Sequence, residues 1–212
     1  FIFKSIKLYD ILTLREVILM SYNLFFKGLS ADKKELEDVQ KMGVENGFDL
    51  DIAFDDYGTI TLDSLEKLSQ KINERATDVN FICHSMGCNL GVLTAKKIER
   101  IRSLVLISPE FGDYSDEELE IQAKAQKDAS SQVRREFTED VVHAFKFFKY
   151  TQPLAAMAIE KINVPTLIIF SKGDIFIPQE YLRELSERKE NIELVSLDTN
   201  LHNPLLDEEY SQ

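Results

Sequence analysis

The sequence predicts an α/β fold, in which helices cover both faces of a mostly parallel sheet of about six strands. Strand-like and helix-like segments alternate from residue 20 onward, an order typical of parallel sheets covered by helices. The later strand-like segments are nearly continuous apolar runs, as expected of central strands buried on both faces. The 212 residues, 44% of them hydrophobic, are enough for one globular domain with a substantial core.

The first half of the chain contains three predicted strands and two predicted helices. Residues 22–26 form the first strand, and residues 48–54 alternate apolar and polar side chains as a half-exposed strand does. Asp32 with Glu35, and Asp63 with Glu66, have the spacing of capping pairs that open helices. The apolar run that begins at residue 79 is the third strand.

The second half contains three further predicted strands and an insertion. The strands are residues 103–108, 164–170 and 192–197. The segment of about residues 110–160 shows no strand signal, and we expect it to form a small helical cap. Within this cap, apolar residues at four-residue spacing indicate a helix; they are Val133, Phe137, Val141 and Phe145.

The beginning of the chain is predicted to be a translated leader or a disordered extension, covering residues 1–19. The segment has no Gly or Pro, and Met20 is followed directly by the first strand. Codons for residues 15–17 can contain a purine-rich run that resembles a bacterial ribosome-binding site. The folded domain would then cover residues 20–212; a pair of edge strands is the alternative.

Composition excludes several classes of protein. The net charge of −12 argues against nucleic acid as a partner, because phosphates require a basic surface, and it disfavours anionic lipid surfaces. Two cysteines provide neither a disulfide framework nor a zinc site. The chain has no apolar stretch long enough to span a bilayer and no secretory signal, so we expect a cytoplasmic protein without a metal or other cofactor.

The segment VNFICHSMGCNLG, residues 79–91, carries the strongest functional signal. An apolar run ends at Ser85 and then becomes helix-like, and small residues occupy the positions two before and two after the serine, Cys83 and Gly87. This C-x-S-x-G pattern differs in one position from the G-x-S-x-G of a nucleophile elbow. A buried serine in an ordinary strand-to-helix loop is the alternative.

A serine nucleophile needs a base and a residue that orients the base. Of the three histidines, His84 is expected to point away from the serine, and His143 lies in a charged helical segment. His202 follows the last predicted strand, and Asp174 follows the strand before it. Their order along the chain, Ser85, Asp174, His202, is that of catalytic residues contributed by successive strand ends.

Four segments together resemble the α/β-hydrolase superfamily, in particular its small serine hydrolases of the esterase or lysophospholipase type. They are ICHSMG at the elbow, SKGDIFIP around the acid, LHNPLLDEEY around the histidine and FDDYGTITLDSL before the elbow. The resemblance covers roughly residues 21–210. It implies a catalytic triad of Ser85, Asp174 and His202, with Glu110 as the substitute if Asp174 is not the acid.

The resemblance also implies an oxyanion hole made by the backbone N–H groups of Leu29 and Met86. The family usually has His-Gly before the first of these donors, where this chain has Lys27-Gly28. Gly28 is expected to adopt a backbone conformation that other residues avoid.

The activity implied is hydrolysis of a small uncharged carboxylic ester through an acyl-enzyme on Ser85. Phe145, Phe148 and Tyr150 are expected to line the acyl pocket, although core packing is the alternative for most of these aromatic residues. Hydrolysis of a thioester, peptide or carbon–carbon bond remains open, as does a binding or regulatory protein that keeps the fold without turnover. The sequence leaves the oligomeric state undetermined.

Overall fold

The computed structural model of the protein describes residues 22–28, 33–54, 56–75, 77–112 and 139–204. They form one sheet of six parallel strands with five helices, which confirms the predicted α/β architecture. The strands are β1 (Tyr22–Phe26), β2 (Leu50–Ile52), β3 (Val79–His84), β4 (Ile101–Ile107), β5 (Thr166–Ser171) and β6 (Ile192–Leu197). The helices are α1 (Lys33–Glu45), α2 (Leu62–Glu74), α3 (Met86–Ala95), α4 (Glu139–Ile159) and α5 (Gln179–Arg188).

The strand order is β2-β1-β3-β4-β5-β6, and every neighbouring pair is parallel. After β1 the chain adds β2 on one side, and it then returns to add β3 on the other side. The carboxyl ends of β1 and β3 therefore lie beside each other where the order reverses, with Phe26 opposite Cys83. Ligands of open α/β sheets bind outside the carboxyl ends of the strands at such a reversal.

Helices lie on both faces of the sheet. On one face, α2, α3, α4 and α5 bury apolar side chains in the main core cluster, together with alternate residues of the strands such as Phe81 and Leu106. On the other face, α1 approaches β2 at Gly43. A Cβ added to Gly43 would lie 3.4 Å from the Cβ of Leu50 in β2. A smaller apolar cluster on that face contains Leu167, Ile169 and Leu197.

A short chain of buried polar side chains crosses three adjacent strands. The Asn80 amide on β3 donates to Asn23 Oδ1 on β1 at 2.9 Å, and the Ser103 hydroxyl on β4 donates to Asn80 Oδ1 at 2.8 Å. Asn23 in turn donates to the backbone oxygen of Asp49 at 3.2 Å. The amides are satisfied by one another inside the sheet, as buried polar groups must be.

Two predicted boundaries were wrong. The second strand is only Leu50–Ile52, because the alternating pattern of residues 48–54 extends beyond the backbone pairing with β1. Helix α2 is capped by Thr61 and Ser64, not by Asp63 and Glu66. The Thr61 hydroxyl accepts the Ser64 N–H, and the Ser64 hydroxyl accepts the Thr61 N–H, which is a complete capping box.

The described part of the 110–160 insertion contains the long helix α4. Ala144, Phe148, Ala155 and Ile159 are buried in the main core. Residues 113–138, with Val133 and Phe137 of the predicted apolar stripe, lie outside the described residues, as do residues 1–19. The boundaries of leader, domain and cap therefore stay predictions. None of the described helices is both long enough and apolar enough to cross a membrane.

Candidate active site

Ser85 occupies a strained turn between β3 and α3. Its φ is 52° and its ψ is −126°, a conformation that side-chain-bearing residues rarely adopt and that surrounding contacts must hold. The Ser85 N–H donates to the Ile107 oxygen at 2.9 Å, and the Ser85 oxygen accepts the Cys88 N–H at 2.9 Å. The turn therefore has the backbone geometry that presents a serine hydroxyl above the carboxyl edge of a sheet.

The residues around Ser85 are small because neighbouring segments of the chain come very close to one another there. A Cβ at Gly87 would overlap the carbonyl oxygens of Phe26 and Lys27, so α3 can begin this close to β1 only with glycine there. A Cβ at Gly91, one turn further along α3, would overlap the Cys83 sulfur. Gly91 thus provides the space for a cysteine two residues before the nucleophile, where the usual pattern has glycine.

The three predicted triad residues lie within hydrogen-bond distance of one another. Asp174, at the carboxyl end of β5, places Oδ2 2.7 Å from His202 Nδ1. His202 Nε2 lies 2.8 Å from Ser85 Oγ. The other Asp174 oxygen accepts the Phe176 N–H at 2.9 Å, and the Ser171 hydroxyl donates to the Leu201 oxygen at 2.5 Å. These two bonds fix the loops that carry the acid and the base.

Glu110 is a fourth polar side chain at the same point. Its Oε1 accepts the Ser85 hydroxyl at 2.8 Å and lies 3.3 Å from His202 Nε2. The Gln152 amide on α4 donates to the Glu110 backbone oxygen at 2.7 Å. From the sequence, Glu110 was predicted only as a substitute acid that would contact His202 in place of Asp174. Its position just after β4, the strand beside the elbow strand, was the available signal.

The protonation of His202 is controlled by carboxylates on both sides of the ring. Burial favours the neutral ring, but hydrogen bonds to Asp174 and Glu110, together with their negative charges, outweigh burial and raise the pKa of His202 to about 10. The two carboxylates therefore stabilise the imidazolium that forms when His202 takes the Ser85 proton.

His84 lies beside the triad and not away from it. Its ring centroid is 5.6 Å from that of His202, and neither of its nitrogens makes a hydrogen bond to a described residue. Burial, with a smaller contribution from His202, lowers the pKa of His84 to about 4. His84 is thus a neutral packing residue at neutral pH.

Of the two expected oxyanion donors, only Met86 belongs to the described residues. Met86 is the first residue of α3, where a helix leaves N–H groups without intrahelical partners, whereas Leu29 lies outside the described residues. The expectation that Gly28 adopts a special backbone conformation was wrong, because it has no positive φ. Glycine is required by crowding, since a Cβ there would lie 2.9 Å from His84 Nδ1.

Lys27, directly after β1, is buried. Its ammonium lies 5.4 Å from the centroid of the Tyr57 ring, and the Tyr57 hydroxyl donates to the Lys27 oxygen at 2.8 Å. Lys27 therefore anchors the end of β1 against Tyr57.

Among the described residues, no group of three His, Cys, Asp or Glu side chains is arranged to hold a metal ion.

The side chains of two of the three expected pocket residues are described, and the pocket stays a prediction. Phe148 is buried in the main core, Tyr150 is 56% exposed, and the side chain of Phe145 lies outside the described part of the protein. Apolar contact with the triad comes instead from Phe176, whose ring meets that of His202 edge-on at 5.9 Å. The neighbours of Asp174 and His202 in sequence, Ile175 and Leu201, are exposed apolar residues beside the site.

Comparison with solved structures agrees with the fold. A monoacylglycerol lipase from Paleococcus ferrophilus has a TM-score of 0.62 at 16% identity, covering 89% of this chain and 88% of the lipase. A carboxylesterase structure from Nitrososphaera gargenis gives 0.61 at 15%, covering 84% and 82%. The thioesterase domain of the curacin biosynthetic pathway gives 0.58 at 13%, covering 87% of each chain. No match was found among curated protein sequences.

The parallel sheet, its strand order and the strained serine turn define an α/β hydrolase. A family model described as serine hydrolase matches residues 60–203, more than half of the chain. The chain belongs to this serine hydrolase family. The matched region contains all of the polar side chains that meet at the elbow.

Proposed function

We propose that the protein is a carboxylic-ester hydrolase that works through an acyl-enzyme on Ser85. The observation that carries the proposal is the continuous line of contacts from Asp174 through His202 to the Ser85 hydroxyl, with heavy-atom distances of 2.7 and 2.8 Å. This is the nucleophile, base and orienting acid that acyl transfer requires. Membership of the serine hydrolase family supports the reaction class.

In the proposed reaction, the neutral form of His202 takes the Ser85 proton on Nε2 while Oγ forms a bond to the ester carbonyl carbon. The tetrahedral intermediate breaks its bond to the alcohol oxygen, which leaves with that proton. Water then gives a proton to His202 and attacks the acyl group, and Ser85 recovers its proton as the acid departs. Asp174 holds Nδ1–H throughout and stabilises the imidazolium.

Charge on the carbonyl oxygen needs donors that are already in place. The Met86 N–H at the start of α3 is proposed as one donor, and the helix dipole favours negative charge at that end. Leu29 is proposed as the second on the grounds of family resemblance. The exposed apolar residues Ile175 and Leu201 beside the triad support a small apolar substrate. The sequence-based choice of an uncharged acyl group stays a prediction, as does cytoplasmic location.

The alternatives are hydrolysis of another type of bond and binding without turnover. Thioesters pass through the same acyl-enzyme, and one of the similar folds is a thioesterase domain. Peptide and carbon–carbon bonds need the same nucleophile but a different treatment of the leaving group. A binding protein without turnover is the alternative from another class, because a fold supports many functions.

A fluorophosphonate probe and a panel of p-nitrophenyl esters test the proposal together. We expect rapid labelling of Ser85, ester turnover by the wild-type protein, and no labelling of Ser85→Ala. Ser108→Ala is a matched control, since Ser108 is also buried at a strand end with positive φ, and its hydroxyl has no partner among the described residues. Normal turnover by Ser85→Ala would reject Ser85 as the nucleophile, and a wild-type protein that is neither labelled nor active on any ester would reject ester hydrolysis.

A further inference from the structure

Glu110 contacts the two atoms that exchange a proton in the proposed reaction. Its Oε1 accepts the Ser85 hydroxyl at 2.8 Å and lies 3.3 Å from His202 Nε2. That nitrogen is itself 2.8 Å from Ser85 Oγ. One O–H group, the Ser85 hydroxyl, therefore bridges the carboxylate and the base in the resting protein. The triad mechanism assigns no task to this carboxylate.

The backbone on both sides of Glu110 is held in place. The Ser108 N–H donates to the Ile169 oxygen at 2.8 Å. The Gln152 amide donates to the Glu110 backbone oxygen at 2.7 Å, and Phe111 is fully buried. The Glu110 side chain is 18% exposed, so solvent reaches it although it is largely enclosed. A group fixed in this way is suited to orient a small reactant.

Acylation removes the hydroxyl that bridges these groups. Once Ser85 Oγ is bonded to the acyl carbon, it carries no hydrogen and no longer donates to Glu110 Oε1. Water also carries O–H groups, and Oε1 and Nε2 lie close enough together, at 3.3 Å, for one oxygen to be within hydrogen-bond distance of both. Glu110 has further contacts, but a carboxylate accepts several hydrogen bonds at once, and the one given up by the hydroxyl is separate from them.

We propose that Glu110 orients the water molecule that hydrolyses the acyl-enzyme, and that it thereby selects water over alcohols as the acyl acceptor. This inference rests on the proposed function. A water molecule has two hydrogens: one points to His202 Nε2, which takes it, and the other is donated to Glu110 Oε1 and stays on the oxygen. An alcohol has only one O–H hydrogen, which the base must take, so an alcohol gains no such orientation from the carboxylate.

The proposed step balances with the groups already present. The water oxygen forms a bond to the acyl carbon while one of its protons passes to His202 Nε2. The bond between the acyl carbon and Ser85 Oγ then breaks, the proton on Nε2 passes to Oγ, and the acid departs with the water oxygen and its second hydrogen. The negative charge of Glu110, 3.3 Å from Nε2, stabilises the imidazolium formed in this step.

Competition between water and methanol for one acyl-enzyme tests this role with the full chain. p-Nitrophenyl butyrate is supplied with a fixed concentration of methanol, and the products methyl butyrate and butyric acid are measured at early times. The ratio of the two products depends only on the step that Glu110 is proposed to assist, whichever step limits turnover. General damage to the site slows both routes together and leaves the ratio unchanged.

Glu110→Met keeps the length of the side chain and removes its carboxylate. We expect the ratio of methyl butyrate to butyric acid to rise about tenfold or more, because hydrolysis loses an oriented reactant while methanolysis does not. Glu110→Ala should have the same effect, and it serves if the Met variant does not fold. Glu187→Ala is the control, because it removes an exposed carboxylate on α5 and changes the net charge equally; its ratio should equal that of the wild-type protein.

The outcomes separate this inference from the proposed function. If the wild-type protein hydrolyses the butyrate ester and the product ratio is unchanged in the Glu110 variants, the role of Glu110 is rejected and ester hydrolysis stands. If the wild-type protein hydrolyses no ester and Ser85 does not react with a fluorophosphonate, the proposed function is rejected, and the role of Glu110 with it.

Discussion

His84 and His202 lie side by side, yet their surroundings give them opposite chemistry. His84 ends β3 inside the protein, where burial lowers its pKa to about 4. His202 lies in the loop after β6 between two carboxylates, which raise its pKa to about 10 despite burial. Their ring centroids are 5.6 Å apart. The ionisation of a histidine is therefore decided by the groups that contact each nitrogen, more than by the region that contains it.

The two histidines also differ in their roles, since one packs and the other connects reacting groups. His84 makes no hydrogen bond to a described residue and fills space against Gly28, whereas His202 connects Asp174 to Ser85. Substitutions at the two positions should therefore damage different properties of the protein.

The largest expected effect is on turnover. His202→Ala should lower kcat for a p-nitrophenyl ester by about three orders of magnitude or more, as Ser85→Ala and Asp174→Ala should, and the losses should not add in combination. His84→Asn should retain most of the activity, because His84 contacts no reacting atom. Steady-state kinetics of the single and double variants provide the measurement. A greater loss from His84→Asn than from His202→Ala would reverse the roles assigned to the two rings.

The pH dependence of stability should show two separate limbs. The unfolded state binds a proton on His84 near pH 6.5 and the folded state only near pH 4, so stability falls as the pH drops through this range, by up to about 3 kcal/mol. The raised pKa of His202 stabilises the folded state fully below its unfolded pKa, and this contribution is lost as the pH rises toward about 10.

Urea unfolding from acid to alkaline pH measures both limbs. His84→Asn should flatten the acid limb alone, and His202→Asn should flatten the alkaline limb alone. An acid limb that is the same in His84→Asn and the wild-type protein would mean that His84 is already protonated in the folded state at mildly acid pH.

A smaller effect is expected at Phe176, the aromatic residue that meets His202 edge-on at 5.9 Å. Such contacts are worth about 0.5 to 1.5 kcal/mol, so Phe176→Leu should lower kcat about threefold to tenfold by loosening the His202 ring. KM should change little if the contact acts only by positioning. A rise in KM at constant kcat would instead make Phe176 a wall of the substrate site.

The smallest effect is expected at Lys27, directly after β1. Its ammonium lies over the Tyr57 ring, a contact worth about 0.5 to 1 kcal/mol, and Lys27→Ala should lower stability by about that amount while kcat stays within about twofold. Thermal unfolding and ester kinetics on one preparation check both parts. Collapse of kcat with intact stability would indicate that the ammonium acts on the charge of the reaction intermediate.

Much of the site follows from local sequence. Residues that come directly after parallel strands meet at one edge of a sheet, so the positions of Ser85, Asp174 and His202 were predictable from three apolar runs and their ends. The parallel sheet followed from the same alternation of segments. Thr61 was missed as a cap because Asp63 and Glu66 have the same spacing as Thr61 and Ser64, and hydrogen-bond geometry alone distinguishes the two pairs.

The remaining features depend on side-chain directions that the sequence does not encode locally. Glu110 reaches Ser85 because of how the turn after β4 directs its side chain, and a strand-end position fixes only the backbone. Phe148 and Tyr150 lie two residues apart on α4, so they point in different directions, one into the core and one to solvent. Phe148 and Tyr150 therefore lie on different sides of α4.

The buried chain of Asn23, Asn80 and Ser103 has a consequence for how the sheet assembles. If β3 slid by one residue against its neighbours, Asn80 would move to the opposite face, among the apolar residues of the main core, and its amide would lose its partners. Unpaired amides in such surroundings cost far more than a paired amide contributes. These three side chains thus favour the one strand alignment that brings the ends of β1, β3 and β4 level, independently of the contacts made by the elbow itself.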